Sequence, residues 1–437
     1  MILIYSEKES PRLDYIVHEL LERRLGLTAQ ICYNRADFET QHLPKINYSS
    51  IPVQGALQIY PQGLLHDTSI QKQDIEVRKH PYWNYYFFEQ QSEHIPFDIL
   101  SASFWILSRY EEYTAEETDE HGRFSHEHAL AYKNGFLRIP LVDRWAKSLG
   151  SMLKKQFPKL VIAEPSFNFI STVDIDFAYR YKGIGLTKQV GKLIKSFIQG
   201  RFSDIISQLQ TLIGTRPDPY DTYELINKLV NDNRLPLMYF FLMRTGTAYD
   251  KNIHPYGPEM RTIAKCLSKE FACGIHPSYY SAELDTLLHE EKQLLEQYTG
   301  KKTIQSRQHF LRLNLPQTYE QLSEAGIMED YSMGFPNHCG FRASTAYTFS
   351  FFNLHSNRQL PLILHPVTVM DTALRYGMKL TPVQAMHEIE TYMNEIEKTG
   401  GVFIPIWHNS NLSAAEGWES WREVFNKMHT LASIKTK

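Results

Sequence analysis

The stretch FNFISTVDIDFAYR, Phe167 to Arg180, sets two aspartates one residue apart at the end of an apolar run. Phe167 to Val173 is rich in β-branched and aromatic residues, which suits a strand. Side chains in a strand alternate between faces, so Asp174 and Asp176 point the same way, roughly 7 Å apart along the chain. Two like charges so placed are costly unless a cation, a hydrogen-bond donor or a shared proton offsets them. The rest of the chain must supply that partner.

Working outward from this strand, segments of strand and helix character alternate. DTYELINKLVNDN reads as a helix and PLMYFFLMR as a strand; PEMRTIAKCLSKE is a helix and ACGIHPS a short strand. SAELDTLLHEEKQLLEQYTG is a long helix with Gly300 past its end, TIQSRQHFL a strand and PQTYEQLSEAGI a helix. LPLILHPVTVMD is a strand, TPVQAMHEIETYMNEIEKTGG a helix with Thr381 as N-cap, and VFIPIWHN the final strand. Repeated βα units of this length imply a parallel sheet, open or closed into a barrel. Polar residues at the C-terminal ends of such strands form the active site. Asp174, Asp176, His276, His309 and His408 all sit at such ends. The segment GRFSDIISQLQTLIGTRPDPYD interrupts the alternation after the first strand, as a loop–helix insertion.

The region before this, residues 1 to about 160, reads as one α/β unit. MILIYS is a strand, SPRLDYIVHELLERRLGL an amphipathic helix ending at Gly26, and IPVQGALQIYP another strand. FDILSASFWILSRYEEY is a strongly apolar helix. No catalytic cluster stands out, and Asp98, Glu111, Glu112 and Glu117 read as surface charge. QFPKLVIAEP, with prolines at 158 and 165, reads as a hinge, so the expected division is 1–160 and 161–437.

At 437 residues the chain is long enough for two or three domains, and 43% hydrophobic with 22% charged residues is an ordinary globular balance. A net charge of −3 argues against a general nucleic-acid or anionic-membrane binder. The opening MILIYSEKES is too short for a signal-peptide core, and no stretch approaches the apolar length of a transmembrane segment, so a cytoplasmic location is expected. The four cysteines lack CxxC spacing and read as free thiols of a reducing compartment.

The offset to the aspartate pair is best supplied by a metal, one carboxylate ligating it and the other taking a proton. His276 in GIHPS and His309 in SRQHFLR are neutral nitrogen donors at strand ends. One carboxylate and two imidazoles with an open position make a catalytic site, which suits zinc and also accepts cobalt, nickel or iron. Arg307, two residues before His309, is placed to hold Asp174 ionised. Asp330 in EDYSMGF and Arg342 in GFRAST are expected substrate contacts or supports of the site. His408 in IPIWHN is open to ligand, acid or structural roles, with the acid favoured. His365 in LILHPVTVMD reads as packed or exposed, and His254 as a loop residue.

These motifs in this order resemble the polysaccharide deacetylase family, the NodB-homology fold of carbohydrate esterase family 4. TVDID matches its first motif, GIHPS its second, SRQHFLR its third, EDYSMGF its fourth and IPIWHN its fifth, over roughly residues 166 to 430. The resemblance implies a distorted (β/α) barrel preceded by a smaller N-terminal α/β domain. It implies metal-dependent removal of an acetyl group from an N-acetylated sugar, glycan or glycan precursor. Asp174 is then the general base, Asp176 and His276 metal ligands, Arg307 the orienter of the base and His408 the general acid. Two departures stand out. The family's second motif has two histidines four residues apart, whereas position 280 here is Tyr280, so the third ligand must come from elsewhere, with His309 the candidate; and Ile175 separates aspartates that many members have adjacent. Another C–N amide hydrolase and a degenerate glycan-binding protein are the alternatives.

Overall fold

The computed structural model describes residues 1–92 and 94–436. Its largest sheet has nine strands in the order Phe349–Asn353, Arg358–Leu364, Glu329–Asp330, Gln305–Ser306, Ala272–Ile275, Leu237–Phe241, Ser171–Ile175, Pro405–His408, Val369–Met370. Neighbours pair in parallel except for the first two strands, an antiparallel hairpin. The chain is therefore a mixed α/β protein with parallel sheets. The order has two ends, so no ladder among the described residues closes the sheet into the barrel that the resemblance implies. The segment that joins Arg358–Leu364 to the edge strand Val369–Met370 runs between the two sides instead: His365 N–H donates to the Asp330 carbonyl (2.8 Å), and Thr368 N–H to that of Ile404 (3.1 Å).

Strand alternation sorts the side chains. Tyr239 and Phe241 join the main core beneath the helices, whereas Met238 and Phe240 point inward with Tyr331, Ile404 and Ile406. On the adjacent strand Val173 and Ile175 go to the main core, which leaves Thr172 and Asp174 facing inward. Register then aligns the strand ends. Ile175 pairs with Phe241, Phe241 with Ile275 and Ile275 with Ser306, so Asp176, His276 and Arg307 each follow one common row. Asp174 itself pairs with His408.

Three expected strands are split, two of them at proline; FNFISTVDID divides at Ile170 into Phe167–Phe169 and Ser171–Ile175. Pro405 has no N–H to give a ladder, so VFIPIWHN divides into Gly401–Phe403 and Pro405–His408. Gly401–Phe403 pairs with Phe167–Phe169 in a separate two-stranded sheet. Pro366 likewise parts Arg358–Leu364 from Val369–Met370. The expected strand TIQSRQHFL shrinks to Gln305–Ser306, because the chain turns sharply at Phe310 and Leu311, both of positive φ. The helix Pro382–Thr399 starts as expected, with a capping box between Thr381 and Gln384.

In the N-terminal region, Ala29–Cys32, Ile2–Ser6, Lys45–Tyr48 and Leu57–Ile59 form a parallel four-stranded sheet. Three of its acids are not the surface charges expected. Asp98 is fully buried and caps the helix Ile99–Leu107, accepting from Ser101 N–H (3.0 Å), the Tyr48 hydroxyl (2.9 Å) and Gln62 N–H (2.9 Å). Glu111 and Glu112 are side chains withdrawn from solvent against Arg109. Glu117 is exposed. This region packs directly on the antiparallel hairpin of the large sheet, with the Tyr15 ring 5.1 Å from that of Phe352. One apolar core runs through both.

A buried histidine behind the aspartate strand makes the stability of the fold pH-sensitive. On the helix Trp421–Lys435, His429 donates from Nδ1 to the Phe425 carbonyl, and its Nε2 accepts from Ser171 Oγ (2.8 Å) at the root of the aspartate strand. Burial disfavours its charged form and pulls its pKa down to about 4. Between pH 4 and 6.5 the unfolded chain binds this proton and the folded one does not. Stability therefore falls as the pH drops through that window, by about 3 kcal/mol over its whole width. Denaturant melts should show this slope in the wild type and a flatter one in His429→Gln.

Candidate active site

The strand ends bring Asp176, His276 and His309 together, with one donor atom of each within 4.8 Å of the others. Asp176 Oδ1 lies 3.2 Å from His276 Nε2, and its Oδ2 lies 3.6 Å from His309 Nε2. Both imidazoles are buried and oriented from behind. His276 Nδ1 faces the Arg307 carbonyl, which can only accept, so Nδ1 carries a hydrogen and Nε2 is the atom turned toward Asp176. His309 Nδ1 lies 2.9 Å from Asp250 Oδ1, a carboxylate–histidine pair of the kind that fixes metal-ligating rings.

The electrostatics call for positive charge at this point. Burial alone pushes the Asp176 carboxyl up, but the imidazoles of His309, His276 and His408 outweigh it and hold the group well below the usual carboxylate range. Burial likewise lowers His309, yet Asp176 and Asp250 prevail and raise it to about 9. Asp176 Oδ1 is buried with no hydrogen-bond partner. It faces His276 Nε2 at 3.2 Å, a separation that a cation or a proton between the two atoms would satisfy. The donor set of one carboxylate and two correctly oriented imidazoles therefore fits a divalent metal with room for further ligands.

Asp174 is buried beside this group, its Oδ2 3.8 Å from His276 Nε2. Its Oδ1 accepts from Arg307 Nη1 at 2.7 Å. The fully buried guanidinium is fixed on all sides: Nη2 donates to Thr172 Oγ1 (2.8 Å), Nε to the Tyr331 carbonyl (3.0 Å), and the Phe240 ring lies 4.4 Å away. One Asp174 oxygen is thus committed to the arginine and the other is turned toward the metal-site imidazole.

His408 stands opposite, its Nε2 3.5 Å from Asp176 Oδ2. Asp371 lies behind it, with Oδ1 2.8 Å from Nδ1 and Oδ2 accepting the His408 backbone N–H (2.9 Å) and Asn411 Nδ2 (2.8 Å). Burial lowers the imidazole pKa, but Asp371, Asp176 and Asp174 together raise it to about 10. The ring is held as imidazolium, a proton donor aimed at the site.

Asp174, Asp176, His276, His309 and His408 line one cavity of about 330 Å³, a size that suits a small ligand or one end of a larger one. Its wall includes Glu120, His121 and Arg123 from the N-terminal region. That segment is pinned beside His309: Arg123 Nη1 donates to the Phe310 carbonyl (2.7 Å), His121 Nδ1 lies 2.9 Å from the Tyr279 hydroxyl, and Arg312 Nε donates to the His121 carbonyl (3.0 Å).

The structure does not bring Asp330 or Arg342 to the cavity. Asp330 is fully buried and accepts from Ser306 Oγ (2.7 Å), Ser332 Oγ (2.9 Å) and Ser332 N–H (2.9 Å), so it fastens the strand that carries Arg307. Arg342 is spent on Glu112 (2.6 and 3.0 Å) and the Gly334 carbonyl (2.9 Å), joining the N-terminal region to the large sheet. His365 is stacked on Tyr331 at 4.1 Å, and His254 is an exposed loop residue. Three participants went unread in the sequence. Asp371 follows a strand by one residue, which was a usable signal; Asp250 and the 120–123 wall lie in loops with none.

Residues 2–158 match a family of unknown function, DUF7033. No curated protein matches the chain. Among solved structures, the chain is similar to a putative polysaccharide deacetylase from Mycobacterium smegmatis, at 14% identity and a TM-score of 0.40, covering 62% of this chain and 86% of that one. A probable polysaccharide deacetylase from Pseudomonas aeruginosa PAO1 gives 10% identity and a TM-score of 0.38 over 62% and 85% of the two chains. A CE4 family pseudoenzyme from Bacillus anthracis gives 9% and 0.32 over 62% and 67%.

Proposed function

We propose that this chain is a metal-dependent hydrolase of the polysaccharide deacetylase type that removes the acetyl group from an N-acetylated sugar, glycan or glycan precursor. One observation carries the reading: a three-residue metal-ligand set, an arginine-held carboxylate and an aspartate-backed imidazolium all line one cavity. In this reading residues 161–437 form the catalytic domain, a distorted barrel, and the N-terminal domain supplies part of the substrate wall.

Asp176, His276 and His309 would hold the metal, with zinc the best match to the donor set. When bound, the cation supplies Lewis-acid polarisation of the acyl oxygen and a lowered pKa for a water. Asp174 accepts the proton of the attacking water on Oδ2 while Arg307 keeps Oδ1 in place. The water oxygen bonds to the acyl carbon and the C–N bond breaks. His408 gives the departing nitrogen a proton, so acetate and a free amine result. Asp371 orients the ring and favours its protonated form.

The ligand assignment is tested by His309→Ala, measured as bound zinc per chain by elemental analysis after equilibration with limiting metal. Loss of one of three protein ligands is expected to weaken binding enough to abolish stoichiometric occupancy in a folded protein. Full occupancy in that variant contradicts the ligand role of His309.

A further inference from the structure

Ten residues after Asp176 the chain leaves the sheet and builds a helical hairpin, Leu186–Ile198 and Phe202–Leu212, whose polarity is inverted. The buried residues of the first helix are Gln189 and Ser196, and those of the second are Gln208 and Thr211. The seam between them is polar: Gln208 Nε2 donates to Gln189 Oε1 (2.6 Å) and to the Gln189 carbonyl (3.1 Å), while Gln189 donates to the Tyr181 carbonyl. The apolar side chains point outward instead. Of the 24 large apolar residues exposed among the described residues, ten fall between Leu186 and Ile213, so this is one patch and not scattered exposure.

On the first helix Leu186, Val190, Ile194, Phe197 and Ile198 recur at helical spacing along one side, with Leu186 84% and Ile198 76% exposed. The second continues the surface with Phe202, Ile206, Leu209 and Leu212, and Ile213 follows it. Hydrogen bonds inside and apolar side chains outside suit a medium without water on the outer side. The charge around the patch is equally one-sided. Between Lys182 and Arg216 there are six basic residues and the single acid Asp204, in a chain whose net charge is −3. Lys188, Lys192 and Lys195 lie on the side of the first helix away from its apolar stripe, the distribution of helices that lie in an anionic membrane interface.

We infer that this hairpin docks on the surface of a bilayer bearing anionic lipid headgroups, without crossing it. Each helix is far shorter than a membrane span, and no helix of the described residues is long and apolar enough to cross. The hairpin is tied to the loop that follows Asp176: Lys192 Nζ donates to the Arg180 carbonyl (2.6 Å), and Arg180 lies 3.5 Å from Asp204. Docking would therefore set the strand ends that carry the cavity close to the interface, where the head group of an amphiphilic substrate is presented. Only this last clause rests on the hydrolase reading.

The test is co-sedimentation of the full chain with vesicles of phosphatidylcholine alone or mixed equally with phosphatidylglycerol. Binding is expected to the mixed vesicles, to weaken with salt, and to fall roughly 10-fold or more on Ile194→Asp with Ile206→Asp. Both positions are exposed, so a thermal melt should confirm an intact fold. Lys188→Glu with Lys192→Glu should selectively reduce binding to the anionic vesicles. A folded wild type that ignores the mixed vesicles overturns the proposal, as does unchanged binding by the aspartate variant. A dimer in solution that the aspartate variant dissociates, with no vesicle binding, shows a second copy to be the occupant. Partitioning is read without turnover, so an active enzyme that does not bind vesicles refutes this inference alone.

Discussion

Asp174→Asn is expected to retain its divalent cation and to lose hydrolysis by roughly 10²–10⁴-fold, the span typical of removing a general base. The substitution keeps the shape of the side chain, and its amide oxygen can still accept from Arg307 Nη1. What it removes is the ability of the second oxygen to take a proton. Asp174 is not in the set that converges on the metal position, so occupancy should be unchanged. Elemental analysis and initial rates on one preparation check both halves. Equal rates in wild type and variant rule out the base; loss of metal assigns Asp174 to the ligand shell.

Arg307→Met has the largest expected effect on stability. Its guanidinium is completely buried, pairs with Asp174, bonds Thr172 and Tyr331, and packs on Phe240. Methionine fills much of the volume but leaves Asp174 as a buried carboxylate without its cation. Breaking one side of such a pair costs about 3–5 kcal/mol, most of it the stranded charge. Replacing both members, as Arg307→Met with Asp174→Asn, should cost less than the two single changes combined. Urea denaturation of the four proteins checks this. Simple additivity would mean that the pair is not energetically coupled, and Arg307 would then be no more than a packing residue.

How far the sequence could be read follows from what each signal depends on. The aspartate pair, the GIHPS turn and the terminal IPIWHN strand are legible because alternation and strand ends are local properties, and register then places Asp176 beside His276 and Asp174 beside His408. The prolines at 366 and 405 are local too, yet their effect on the ladders depends on which neighbours the strands meet. Asp330 supports the site through the strand that carries Arg307, whereas Arg342 ties the N-terminal region to the large sheet. A charged residue in a glycine-containing aromatic loop reads as a substrate contact, but their partners Ser306, Ser332 and Glu112 are known only from the tertiary structure. Glu112 lies 230 residues from Arg342, and no local pattern announces such a pairing. Of the helical hairpin only Phe202–Leu212 falls in the insertion read from the sequence; Leu186–Ile198 does not, and exposure of the apolar side chains depends on which face the glutamines turn to each other.

The central claim is that the cavity hydrolyses an N-acetyl group with the help of a bound divalent cation. It is tested most directly by acetate release from N-acetylated oligosaccharides, comparing metal-stripped protein with the same protein reloaded with zinc. The proposed function predicts release that is lost on stripping and restored on reloading. Zinc-loaded, folded protein that binds these oligosaccharides but releases no acetate would contradict it and leave a glycan-binding protein with a silent site.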